Sequence, residues 1–173
     1  MAEPHPLVIQ LRFTRSEFMR AIKRVDDVDA RKRMPPMNCI SWNVGHLAWQ
    51  EQRYFVTAGQ GRTPFPDIET RFASGGPAST PPLADVLAAW QAITAAADPW
   101  LDTLTSETLL EHPMRNGKPL ARIHGNLIQR TIYHYWYHTG ESAAVRQIIG
   151  HVDLPEFVGD MDAAAYRQEA GTS

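Results

Sequence analysis

The sequence predicts an all-α fold, a bundle of four long helices. Three observations carry that expectation. Apolar residues recur at spacings of three, four and seven over most of the chain, which is the repeat of helices with one buried face. No stretch has the alternation or length of a substantial strand. In the last helical stretch two interleaved seven-residue rows, Leu127, His134, Glu141, Ile148 and Thr131, His138, Val145, trace the seam of a bundle helix. The 173 residues fit a single domain over 1–173, with a core at about 7–150 and a C-terminal tail over 151–173.

The first helix is expected from about Leu7 to Asp29, with Leu11, Phe18, Ile22 and Val25 on one face and Arg15, Arg20, Lys23 and Arg24 among the solvated positions. Pro35-Pro36 breaks the pattern, because a proline has no N–H to give and restricts the residue before it. A second helix follows from about Cys39 to Thr57, with Asn38 or Ser41 as its cap. Residues 58–82 are rich in glycine and proline and read as a long irregular connection. Phe65, Ile68 and Phe72 are expected to tie it to the bundle surface; packing over the mouth of a site is the alternative. Gly75-Gly76 lacks the pattern of a phosphate loop.

The third helix starts near Leu83 and carries Val86, Leu87, Trp90 and Ile93. Asp98-Pro99 should end or kink it, with Asp98 capping a short piece through about Leu104. Asn116-Gly117 signals a type I′ turn in a short edge ribbon, and His112 beside it should be exposed. The fourth helix runs from about Ala121 to Ile149 and stops at Gly150. Leu154, Phe157 and Val158 of the tail can pack back on the bundle.

Composition narrows the function classes. An apolar fraction of 43% and a charged fraction of 21% are those of an ordinary globular protein. The net charge of −2 gives no reason to expect a nucleic-acid or anionic-membrane surface. No apolar run is long enough to span a bilayer, and the N-terminal residues lack the regions of a signal peptide, so a cytoplasmic protein is expected. Cys39 is the single cysteine, so no internal disulfide can form, and a buried structural role suits it best.

The chemistry concentrates in His134-Tyr135-Trp136-Tyr137-His138-Thr139-Gly140-Glu141. Residues at i and i+4 share a helix face, so two imidazoles can point at one ion. Both histidines fall on the predicted seam, with Leu127 and Ile148 marking the His134 row as buried. An unpartnered polar group there costs roughly 1–3 kcal/mol. A shared metal satisfies both rings; hydrogen-bonded core histidines are the alternative. Tyr135 follows His134 where a zincin helix has glutamate, which excludes that class.

A catalytic ion needs a third ligand. His46 is the candidate, because it shares a stripe with Trp42 and Trp49 on the second helix, although such a histidine can also be a plain core residue. Three imidazoles suit zinc, nickel or iron and leave positions open. Asn43, three residues before His46, is placed to support a ligand from behind, whereas Glu51 lies about 140° around the helix and is poorly placed to share the site. Arg130 lies one turn before His134 and Arg53 two turns after His46, where each can bind a substrate carboxylate or form salt bridges at the bundle end. Glu141 is the candidate catalytic base, or else it orients a ligand. Tyr133, Tyr135, Trp136 and Tyr137 read as packing and interface residues.

The stretches Trp42-Asn43-Val44-Gly45-His46-Leu47-Ala48-Trp49-Gln50-Glu51 and His134 to Glu141 together resemble the DinB/YfiT superfamily. That family has one histidine in its second helix and an HxxxH pair, commonly followed by a small residue, glycine and an acid or amide, in its fourth. The resemblance covers about Leu7 to Ile149. It implies a four-helix bundle with a long connection between helices 2 and 3, a divalent metal held by His46, His134 and His138, and frequent homodimers. It also implies a metal-dependent transferase that uses a low-molecular-weight thiol on a small-molecule substrate. A metal-dependent hydrolase and a non-catalytic metal- or ligand-binding bundle are the alternatives within its range.

Overall fold

The computed structural model describes residues 3–115 and 117–164. Six α-helices account for most of it: α1 (Pro6–Ala21), α2 (Asp27–Ala30), α3 (Ile40–Glu51), α4 (Ile68–Phe72), α5 (Leu83–Leu101) and α6 (His124–Ile148). The four long ones, α1, α3, α5 and α6, form the bundle expected of an all-α fold. α1 packs chiefly on α6, α3 packs chiefly on α5, and α3 meets α6 across the pairs. The seam is filled by Val8, Leu11 and Phe18 of α1, Val44 and Leu47 of α3, Ile93 and Leu101 of α5, and Ile128, Tyr135 and Val145 of α6.

Every residue of α3 is buried. Such a helix must satisfy its polar side chains internally. Glu51 at its end does so by taking the Arg15 guanidinium from α1 in two parallel bonds of 2.7 and 2.6 Å. The helix then continues as a π-helical turn over Gln52–Ala58.

Local physics moves several boundaries. The first helix stops at Ala21, not near Asp29, because Arg24 turns into the left-handed region at φ 68°. The four-residue α2 follows, and Asp27 accepts the Leu83 N–H at 2.7 Å, which fastens the start of α5. Neither Asn38 nor Ser41 caps α3; Cys39 is the N-cap and its side chain makes no capping bond. α5 does not end at Asp98-Pro99 but runs through to Leu101. Pro99 lies in the last turn on an exposed side, where losing one helical N–H is cheap. Asp98 faces α1 instead of capping, accepting from Arg15 Nη1 at 2.7 Å and Arg12 Nε at 3.3 Å.

The connection between α3 and α5 is more ordered than its composition suggests. Gln52 clasps the Phe65 backbone from both sides at 2.9 Å, and Trp42 Nε1 donates to the Pro77 carbonyl at 3.0 Å. Ile68 and Phe72, on α4, enter the core. The short ribbon pairs Met114 with Pro119 and Arg115 with Lys118, antiparallel. The Asn116 half of the expected turn lies outside the described residues, as does the end of the tail from residue 165. Phe157 does not pack back on the bundle but is 80% exposed, while Leu154 and Val158 are half-buried. No helix among the described residues is long and apolar enough to cross a membrane.

Candidate metal centre

The site forms where α3 meets α6. His46 projects from the middle of α3 between Trp42 and Trp49, with ring centroids 4.7 and 5.2 Å away and nearly parallel planes. From α6, His134 and His138 turn their edges to it, at centroid distances of 4.8 and 5.3 Å. One ligating nitrogen from each ring lies within 4.8 Å of the other two. His46 and His138 are buried, and His134 is half-buried at the rim.

Hydrogen bonds decide which nitrogen each ring offers. His46 Nδ1 meets the Phe72 carbonyl at 2.6 Å. A carbonyl can only accept, so Nδ1 carries the proton and Nε2 keeps its lone pair. His138 Nδ1 meets Glu141 Oε2 at 2.7 Å, with the same consequence. Glu141 Oε2 also accepts from Asn43 Nδ2 at 2.9 Å, so α3 and α6 are linked behind the site. His138 Nε2 faces His134 Nε2 at 3.0 Å. His134 Nδ1 is buried and has no hydrogen-bond partner.

This donor set fits a metal. Two nitrogens about 2.1 Å from a tetrahedral ion lie about 3.4 Å apart, so the three rings need only small adjustments. Burial, partly opposed by the Phe72 carbonyl, pushes His46 down to about 4. Burial also pushes His134 down to about 3, helped by the repulsion that its protonated form meets from the neighbouring His138, His46 and Arg130. Both rings are therefore held neutral, the form that ligates.

Glu51 is outside the group of three rings, as its position around α3 predicts, and the two candidate arginines do not touch the imidazoles. Glu51 accepts from Tyr135 Oη at 2.9 Å. Arg130 is exposed in a recess shared with His134, and Arg53 lies over Trp49 at 5.3 Å. Ile148 is 58% exposed, so the Leu127–His134 row is buried at its N-terminal end only. The deepest row of α6 is Ile128, Tyr135 and Ser142, each 0% exposed. Tyr135 is packed as expected, whereas Tyr133 and Tyr137 are each 68% exposed.

Two contributors escaped the sequence reading. The Phe72 carbonyl reaches His46 from α4, and the Tyr137 ring stands nearly perpendicular to that of His138 with centroids 5.0 Å apart. A signal for the first was present in Gly45. A Cβ there would sit 2.7 Å from the Phe72 ring, so the helix needs a glycine for α4 to approach.

Fold and site thus define a helical bundle with a three-histidine centre that could hold a divalent metal ion. The sequence model of the DinB superfamily matches residues 10–142, and the chain belongs to that superfamily. No curated protein matches the chain.

Proposed function

We propose that the chain is a metal-dependent thiol (S-)transferase in which His46, His134 and His138 hold the ion and a low-molecular-weight thiol is the cosubstrate. The observation that supports this most is the convergence of the three imidazoles, two of them locked by acceptors at Nδ1. A bound zinc, nickel or iron ion would supply Lewis acidity, lowering the pKa of a thiol at an open position. The protein's own groups prepare that position. Glu141, steadied by Asn43, holds the proton at His138 Nδ1 and so aims Nε2 inward. Because Glu141 occupies the back of the ring, it serves as a positioning residue and not as a base. The Phe72 carbonyl does the same for His46. Trp42 and Trp49 flank His46 and exclude water from that side. Arg130, beside His134, and Arg53, over Trp49, attract anionic groups of the reactants in this reading. A cytoplasmic homodimer belongs to the same reading, and light scattering on the purified protein tests the dimer.

Metal analysis tests the centre: the wild type should retain one divalent ion per chain, and His46→Ala and His134→Ala should lose it. Retention of stoichiometric metal by both variants would overturn the site. Conjugation of small thiols to a bimane electrophile tests the reaction. Turnover should exceed the metal-stripped control for at least one thiol; hydrolysis of an ester with no thiol dependence would point instead to a hydrolase.

A further inference from the structure

Beside His134 lies an open recess of about 550 Å³, lined by Arg122, Asn126, Gln129, Arg130, Tyr133 and His134. No carboxylate lines it. Other arginines of this chain lie against acids: Arg12 against Asp98 and Asp102, Arg15 against Glu51 and Asp98, Arg20 against Glu17. Arg122 and Arg130 are exposed and form no ion pair with any described residue. They stand next to three imidazoles, a ligand type that brings no negative charge to a bound divalent ion. The Glu141 carboxylate lies behind His138 and does not line the recess.

Positive charge gathered at an open cleft without counter-charge is what recruits an anion. A guanidinium is a rigid fork that matches a carboxylate in two parallel bonds. The amides of Asn126 and Gln129 between the two arginines supply neutral donors and acceptors. Arg122 lies just before α6, which begins at His124, and Arg130 lies six residues, about 9 Å of rise, inside it, which sets the scale of what can touch both. We propose that this recess binds an elongated small molecule with two carboxylates, one at Arg130 and one at Arg122, and presents its reactive end to the centre beside His134. The proposal deepens the transferase reading and rests on a divalent ion at the three histidines.

S-methylglutathione, which carries two carboxylates and no free thiol, is the probe, and its diethyl ester is the control. Titration calorimetry is run on cobalt-loaded protein for the wild type and for the Arg122→Gln/Arg130→Gln double variant. Both positions are exposed, so folding should be unaffected, and equal cobalt content verifies it. Saturable binding of the acid is expected, with at least tenfold weaker binding of the ester and at least a tenfold loss in the variant. Equal binding of acid and ester, unchanged binding by the variant, or no saturable binding at millimolar probe would each overturn the proposal. A parallel titration with free glutathione follows the sulfur-to-cobalt charge-transfer band. That band reports thiol ligation whatever the recess does. Its absence counts against the thiol reading, while the methylated probe still judges the recess.

Discussion

Glu141 and Asn43 act on His138 in series, and each link is a single hydrogen bond at 2.7 or 2.9 Å. Replacing the carboxylate by an amide weakens the hold on Nδ1–H and allows the wrong amide face to present. Glu141→Gln should therefore lower zinc affinity by about 10–100-fold, measured by competition with a chromogenic chelator, with little change in melting temperature. An unchanged affinity would separate Glu141 from the centre. The depressed histidines make a second prediction, for the metal-stripped protein. His46 and His134 titrate near 4 and 3 when folded and near 6.5 when unfolded. Below pH 6.5 the unfolded chain takes up protons that the folded one refuses, so stability falls as pH falls. The slope is up to about 1.4 kcal/mol per pH unit for each ring, down to about pH 4. Urea midpoints at several pH values should show this decline, and His134→Gln should flatten it.

At the level of elements, α4 matters beyond its five residues. It brings the Phe72 carbonyl to His46 and lays the Phe72 ring against Gly45. Gly45→Ala forces a methyl against that ring at 2.7 Å. The expected cost is about 1–3 kcal/mol in chemical denaturation, together with a loss of metal affinity as α4 is displaced. Full metal affinity in a destabilised Gly45→Ala protein would show that His46 needs no partner at Nδ1. The sequence reading underestimated this element because prolines and glycines on both sides hid two apolar anchors, Ile68 and Phe72. It misjudged Asp98-Pro99 for a related reason: proline propensity cannot anticipate that Asp98 is engaged by two arginines of another helix.

Across the whole molecule, one buried polar network joins all four long helices. Arg15 of α1 binds Glu51 of α3 and Asp98 of α5, Tyr135 of α6 donates to Glu51, and Trp90 of α5 donates to Tyr135 Oη at 2.6 Å. Burial opposes the Arg15 charge, but the Glu51 carboxylate outweighs it and raises the guanidinium above its ordinary value. Burial and then Glu51 keep Tyr135 protonated. Removing one partner strands the other. Glu51→Ala should cost about 3–5 kcal/mol because Arg15 stays charged and buried. Tyr135→Phe, which deletes only the hydroxyl, should cost about 1–3 kcal/mol. Both are read from denaturant midpoints, and a near-neutral Glu51→Ala would mean that water replaces the lost carboxylate.

Periodicity and residue type determined the all-α class, the four long helices, the superfamily and the placing of His46 on one helix and of His134 and His138 one turn apart on another. These are local or one-dimensional properties, and the 3.6-residue repeat carries them. Which atoms face one another depends on contacts between residues far apart in sequence. The Phe72 carbonyl at His46, the Asn43–Glu141 bond behind His138, the Arg15–Glu51 pair and the exposure of Ile148 were decided only when the helices packed, because helix rotation and the path of the long connection are set by the whole core.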